Sequence, residues 1–495
     1  MSYFSKTIFM QFLQCPKLAW NVYNIPNMFT STDPATKARM AEGKAVEAHA
    51  RKLFPAVTLI DHSQSFDDIV DQSNDALSYS TIPICNAILS SNGFSDRLLT
   101  AETDILVPCD DEYLLYEVKA STRAKPEHIP DIAFQKYVAE KRGLRIRQCF
   151  LILLNGKYIR KGEINTRQLF KIGDVTEGVQ QYGESSDINA QVENAFEVCN
   201  QAKCPETEIG VHCSSDCPLR NTCWREVNKI KHNIFDLYRM PSKKAFGWYK
   251  QGITGIEDIP EDYPLTKLQK IQAKSEKTGE IHADRKEIKK FLNQLTYPLY
   301  FLDFETFSSA IPLIDNSAPY SVVPFQYSLH IIDEDLSKEP QHHSWIWGTE
   351  GEPRSIMLEQ LKSLLGNKGN IIAYNALFEQ MVLKQAVDLY PKQEKWLNNI
   401  LKRFEDLLQP FRNFHIYHPA QKGSCSLKAV LPALTGQDYS QLQIQDGEQA
   451  SRAFMGILNG QIADKQAILE NLERYCGQDT MAMLEILRKM RSISA

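Results

Sequence analysis

Residues 299–306 read LYFLDFET, an apolar run ending on two carboxylates, Asp303 and Glu305, spaced two apart. In a strand, side chains at i and i+2 share a face, so both can reach one divalent cation. Burying two anions together is costly without a counter-charge. The pair therefore reads as a metal site, against the plainer account of a solvated strand end. Two later stretches favour the metal site. IIAYNALFEQMVL (371–383) is a second apolar strand followed by Asn375, Phe378 and Glu379 at a helix start. LERYCGQDTMAMLEIL (472–487) puts Tyr475 and Asp479 at i and i+4 on one helical face.

In this order the three blocks resemble the motifs of DnaQ-like (DEDD) exonucleases, in the subtype with a tyrosine four residues before the last aspartate. The family has aspartate where this chain has Glu379. The resemblance implies an RNase H-like mixed sheet with flanking helices over 293–495, hydrolysing nucleic acid from a 3' end. Two Mg2+ or Mn2+ ions would be held by Asp303, Glu305, Glu379 and Asp479, since hard cations favour carboxylate oxygens. Tyr475 would orient the attacking water. Asn375 and Lys428, the latter in GSCSLK beside a helix start, are candidates for gripping the substrate's phosphates. Asp406 either supports the metal site or caps a helix.

The 495 residues suffice for two or three cores, and 43% hydrophobic with 24% charged residues is a globular composition, not a disordered one. A net charge of −5 excludes a global basic field, so nucleic acid would have to enter a local groove or bind through metal ions. No stretch approaches the roughly 18 apolar residues of a membrane span, and the first twenty lack a signal-peptide pattern. The expected address is the cytoplasm, where thiols stay reduced and the eleven cysteines do not read as a disulfide framework.

Earlier in the chain, 5–24 and 36–54 carry helical periodicity, 55–95 reads as loop-rich, and AETDILVP and YLLYEVKAST read as strands. These place Asp104, Glu117 and Lys119 at neighbouring strand ends, with a helix bearing Gln135 and Tyr137 next and the strand RIRQCFLILL after it. A surface ion pair is the plain account of Glu117 and Lys119. Asp104 followed by E-x-K resembles the core of PD-(D/E)xK nucleases of the RecB-like branch. That implies a restriction-endonuclease-like α/β core in which Asp104 and Glu117 hold a divalent ion, Lys119 stabilises charge on the phosphate, and Gln135 assists. The branch's upstream ligand falls on Glu47 or on His49.

Cys213, Cys217 and Cys223 lie in HCSSDCPLRNTCW, a spacing that reads as ligands. RecB-like nucleases with an iron-sulfur staple have one cysteine before the core and three after it. Cys15, in QCPKLAW, matches the first, which implies a [4Fe-4S] cluster. A structural zinc remains the alternative.

The expected organisation is α/β with two nuclease domains, 1–228 and 293–495, joined by a helical connector over 229–292. Taken whole, the chain is similar to a bacterial family joining a RecB-like iron-sulfur nuclease to a DnaQ-like exonuclease. The implied partner is DNA with a 3' end or a single strand, in processing, repair or defence. RNA as substrate, a first domain that only binds, and a catalytically silent scaffold are the rival readings.

Overall fold

The computed structural model describes residues 3–26, 33–93, 98–462 and 464–495. It is mixed α/β and divides into two compact units, residues 1–224 with 309–321, and residues 225–308 with 322–495. The stretch expected as a connector thus counts with the second unit. Among the described residues, no helix is long and apolar enough to cross a membrane.

In the first unit the strands are β1 Phe4–Ser5, β2 Thr58–Leu59, β3 Ile84–Asn92, β4 Leu98–Cys109, β5 Glu112–Lys119, β6 Ile146–Leu154 and β7 Phe170–Asp174. They form a sheet in the order β2-β3-β4-β5-β6-β7, with β1 beside β4. Successive residues face opposite sides of a strand. Accordingly Ile84, Leu106 and Leu151 enter one core while Cys85, Ile105 and Ile152 enter another. Buried residues run almost unbroken along β3, whereas the edge strand β7 is exposed after Phe170.

Two expectations from the sequence are corrected here. The stretch 55–95 is not loop-rich: it holds a helix, Phe66–Tyr79, and most of β3. Ser65 caps that helix by accepting from Asp68 N, and Phe66, Ile69, Val70, Ala76 and Leu77, at helical spacing, pack its apolar face on the core. The helical stretch 5–24 is two helices, Lys6–Gln14 and Pro16–Asn24, broken where Cys15 is extended. A proline disfavours helical geometry in the residue before it, so Pro16 accounts for the break.

The segment 309–321 belongs to the first unit through Ala310 N to Glu42 Oε1 (2.7 Å), Tyr320 Oη to Ala120 O (2.7 Å) and Arg160 to the carbonyls of Pro312 and Leu313.

The second unit contains β8 His282–Ala283, β9 Leu299–Phe307, β10 Val323–Ile332, β11 Gln341–Ile346, β12 Asn370–Ala373, β13 Phe404–Asp406 and β14 Ile416–Tyr417. Its main sheet runs β11-β10-β9-β12-β13, antiparallel from β11 to β9 and parallel beyond, while β14 and β8 pair separately. Every residue of β10 is buried. Tyr327, Leu329 and Ile331 pack with Met357, Leu358 and Leu361 of the helix Pro353–Leu364. Gln326, Ser328 and His330 on the other face bond to the long helix Lys465–Ser494, at Leu472 O and Thr480 Oγ1.

Candidate functional site

Asp303 and Glu305 stand opposite Ser328 and Gln326 in the β9–β10 register, and so face the long helix. That helix presents Tyr475, Cys476 and Asp479, all buried. Ligand atoms of Asp303, Glu305 and Cys476 lie within 4.8 Å of one another, and Cys476 Sγ is 3.6 Å from Asp303 Oδ2. Glu379 arrives from the first turn of the helix Leu377–Leu389, which follows β12 through Asn375 at φ +71°. Its Oε2 is buried with no hydrogen-bond partner among the described residues.

The electrostatics record the crowding. Burial, then Asp479, Glu305 and Glu379, push Asp303 well above the usual carboxylate range. Burial and Asp479 push Glu305 up to about 8, opposed by Lys428. Burial takes Glu379 to about 8, with Asp406 adding to it. Asp479 rises only to about 6, because hydrogen bonds from Tyr439 and Tyr475 and the charge of Lys428 oppose its burial. Tyr439 donates to Asp479 Oδ1 at 2.5 Å. Lys428 Nζ donates to Tyr475 Oη at 3.2 Å and lies over the rings of Tyr439 and Tyr475.

Buried Glu305, Glu379 and Asp479 with half-buried Asp303, opposed among the described residues by Lys428, form a donor set short of positive charge, and the bare Glu379 oxygen adds an unfilled acceptor. Both fit divalent cations. Asp406 is a positioning residue: Oδ1 accepts from Asn375 N at 2.9 Å and Leu408 N at 3.0 Å, holding the turn that leads to Glu379. Asn375 itself is exposed.

In the first unit, β4 is long enough for its one edge to take β1 at Leu99–Thr100 and β5 from Ile105 onward. Where β5 leaves β4, Asp104 Oδ2 accepts from Val118 N at 2.6 Å. Glu117 and Lys119 emerge there, and Lys119 Nζ donates to Glu117 Oε1 and Asp131 Oδ2, each at 2.6 Å. Gln135 Nε2 donates to Glu117 Oε2 (2.7 Å) and Asp131 Oδ1 (2.9 Å). Lys6 Nζ lies 3.1 Å from Glu117 Oε1 and 3.0 Å from Asp131 Oδ1. Burial alone would raise the Glu117 carboxyl, but Lys6, Lys119 and these hydrogen bonds outweigh it and hold the group below the usual range. Asp104 goes the other way, raised by burial and by Glu117.

Of the two upstream candidates, Glu47 is within electrostatic reach of Asp104 and of Glu117, and its carboxyl is raised by burial and Glu102. The His49 ring bonds Ala45 O of its own helix. Tyr137 points elsewhere, donating to Asn189 Oδ1.

Cys15, Cys213, Cys217 and Cys223 line one small cavity with His212, Ile209 and Trp224. Cys223 is raised chiefly by burial, and each of the other three thiols adds to it. A tetrahedral zinc with bonds of about 2.3 Å draws its sulfurs to about 3.8 Å of one another. Among the described residues, the only ligand group gathered within 4.8 Å is that of Asp303, Glu305 and Cys476. The four thiols share that one cavity, a donor set that suits a multi-iron cluster or a single zinc. Cys204 stands apart, accepting from Asn21 Nδ2.

Sequence reasoning passed over Lys6, Asp131, Tyr439 and Cys476 as participants. Asp131 carried a signal, four residues before Gln135 on one helical face. Lys6 and Tyr439 carried none.

Residues 300–426 match a domain of unknown function (DUF2779). Three curated proteins are similar. "Uncharacterized protein MG366 homolog" of Mycoplasma pneumoniae is 26% identical over 213 residues, 38% of this chain and 31% of that protein. "Uncharacterized protein UU173" of Ureaplasma parvum is 25% identical over 302 residues, 54% of this chain and 42% of that protein. "Uncharacterized protein MG366" of Mycoplasma genitalium is 26% identical over 221 residues, 39% of this chain and 32% of that protein. The matches span less than half the length of each relative.

Proposed function

We propose that the chain is a divalent-metal-dependent nuclease acting on DNA, with a DnaQ-like 3'–5' exonuclease centre in the second unit and a RecB-like PD-(D/E)xK centre, stapled by a [4Fe-4S] cluster, in the first. The observation that carries the reading is the electrostatic crowding of Asp303, Glu305, Glu379 and Asp479, opposed at Glu305 and Asp479 by Lys428. Asp303, Glu305, Glu379 and Asp479 would hold Mg2+ or Mn2+, which when bound activates water and stabilises the leaving 3' oxygen. Tyr475 and Tyr439 keep their phenolic protons, since burial and Asp479 raise both well above the usual range. Each can therefore donate its one hydrogen bond: both are held by Asp479 here, and Tyr475 would turn its O–H to a water once Asp479 engages a cation. Lys428, at the pocket wall, supplies positive charge for an incoming phosphate.

The test uses anaerobically purified full-length protein with Mn2+ and 5'-labelled single- and double-stranded DNA, with matched RNA as competitor. Stepwise shortening that is lost in Asp303→Ala supports the second centre. Cleavage lost only in Glu117→Ala supports the first. No Mn2+-dependent cleavage of either polymer overturns the proposal.

A further inference from the structure

The carboxylate groups of the two units differ in how their charge is met. In the second, among the described residues, Asp303, Glu305, Glu379 and Asp479 are opposed by Lys428, which acts on Glu305 and Asp479. In the first, Lys6 and Lys119 sit directly on Glu117 and Asp131, with Asp104 and Glu47 also within electrostatic reach, and both oxygens of Glu117 and of Asp131 already accept from Lys6, Lys119 or Gln135. Glu117 Oε1 already takes two donors and Oε2 one, so an ion would find one acceptor position left on it, beside two ammonium groups that repel the ion. Lys119 and Gln135 belong to the nuclease pattern itself, whereas Lys6 does not. Lys6 comes from outside it, at the start of the helix Lys6–Gln14.

Its placement is built in. Phe4 and Ser5 pair in parallel with Leu99 and Thr100 of β4, on the edge that β5 leaves free, so the next residue is delivered to the ends of β5. Phe4 is fully buried and packs its ring on Phe134 and Phe196. At the other end the helix stops at Cys15, one of the four clustered thiols. A cation in the first turn of a helix meets the positive end of its dipole, so Lys6 is there against local preference, compensated by its two ion pairs.

We propose that Lys6 is a resident counter-ion of the first site, competing with the divalent cation for Glu117, so that this site loads only at metal concentrations well above those that fill the second. The proposal rests on the reading of Asp104 and Glu117 as a divalent-ion site. When an ion binds, the Lys6 ammonium leaves Glu117 for solvent and carries its charge with it. The first unit is thereby held closed to metal while the second is active.

The experiment uses full-length protein carrying Asp303→Asn to silence the second site, with Mn2+ binding followed by the EPR signal of free Mn2+. Lys6→Met is expected to bind Mn2+ at least tenfold more tightly than its parent, Lys6→Arg to match the parent, and Asp104→Asn added to Lys6→Met to abolish the gain. Equal or weaker affinity in Lys6→Met overturns the role of Lys6 and leaves the metal site standing. No Mn2+ binding by a folded Lys6→Met protein overturns both. A second measurement needs no variant at Lys6: amine acetylation of the parent, read by peptide mass, should rise severalfold at Lys6 when Mn2+ reaches millimolar levels. Unchanged labelling overturns the proposal.

Discussion

Replacing Glu305 with glutamine should stabilise the metal-free protein at alkaline pH. Burial and Asp479 raise the Glu305 carboxyl from 4.5 to about 8. A group raised in the folded state supports folding fully below its unfolded pKa and loses that support as pH climbs through the folded one. For Glu305 the loss runs from about 4.5 to about 8. At about 1.4 kcal/mol per unit, roughly 3 kcal/mol disappears between pH 5 and pH 8. Glu305→Gln keeps the shape of the side chain and removes its charge. In EDTA at pH 8 its second-unit transition should lie roughly 6–12 °C above the parent's, and at pH 5 close to it. Saturating Mn2+ should then reverse the order, because the parent gains a ligand's worth of binding that the variant lacks. Differential scanning calorimetry at the two pH values, with EDTA or Mn2+, reads all four conditions. Equal parent and variant midpoints at pH 8 in EDTA, or an equal gain from Mn2+, would refute the claim that these carboxylates crowd one cation site.

Tyr439→Phe removes the 2.5 Å hydrogen bond to Asp479 and should move the acid limb of the pH–rate profile upward by about one unit, since that bond favours the ionised carboxylate; an unmoved limb counts against it. Asp406→Ala frees two backbone amides and should cost about 1–3 kcal/mol in urea unfolding while leaving Mn2+ stoichiometry intact; loss of a bound ion would make Asp406 a ligand instead. Cys15→Ser should abolish a broad absorption near roughly 400 nm and the associated iron, whereas Cys204→Ser should preserve both. Colour retained in Cys15→Ser would remove Cys15 from the cluster.

Much of the candidate chemistry was legible because its spacing is local. Asp303 with Glu305, Glu117 with Lys119, and Tyr475 with Asp479 each share a face by the period of one strand or one helix. Cys476 was visible in the same stretch but silent, because neighbouring positions on a helix point in different directions until a partner is known. Its partner proves to be Asp303, 173 residues away. Tyr439 sits outside any regular element and reaches Asp479 only through the fold. The membership of 309–321 in the first unit was likewise beyond periodicity, resting on bonds to Glu42, Ala120 and Arg160.

The chain's own pattern determined which side chains share a face, where strands end on carboxylates, and that Cys213, Cys217 and Cys223 recur close together. Only the tertiary structure decided the balance of charge at each site. One edge of β4 serves both β1 and β5, and so brings Lys6 to Glu117 across 111 residues; the β9–helix contact brings Asp303 and Glu305 to Asp479, and two further helices add Glu379 and Lys428. Periodicity encodes direction within an element, whereas neutralisation depends on which distant elements share a boundary.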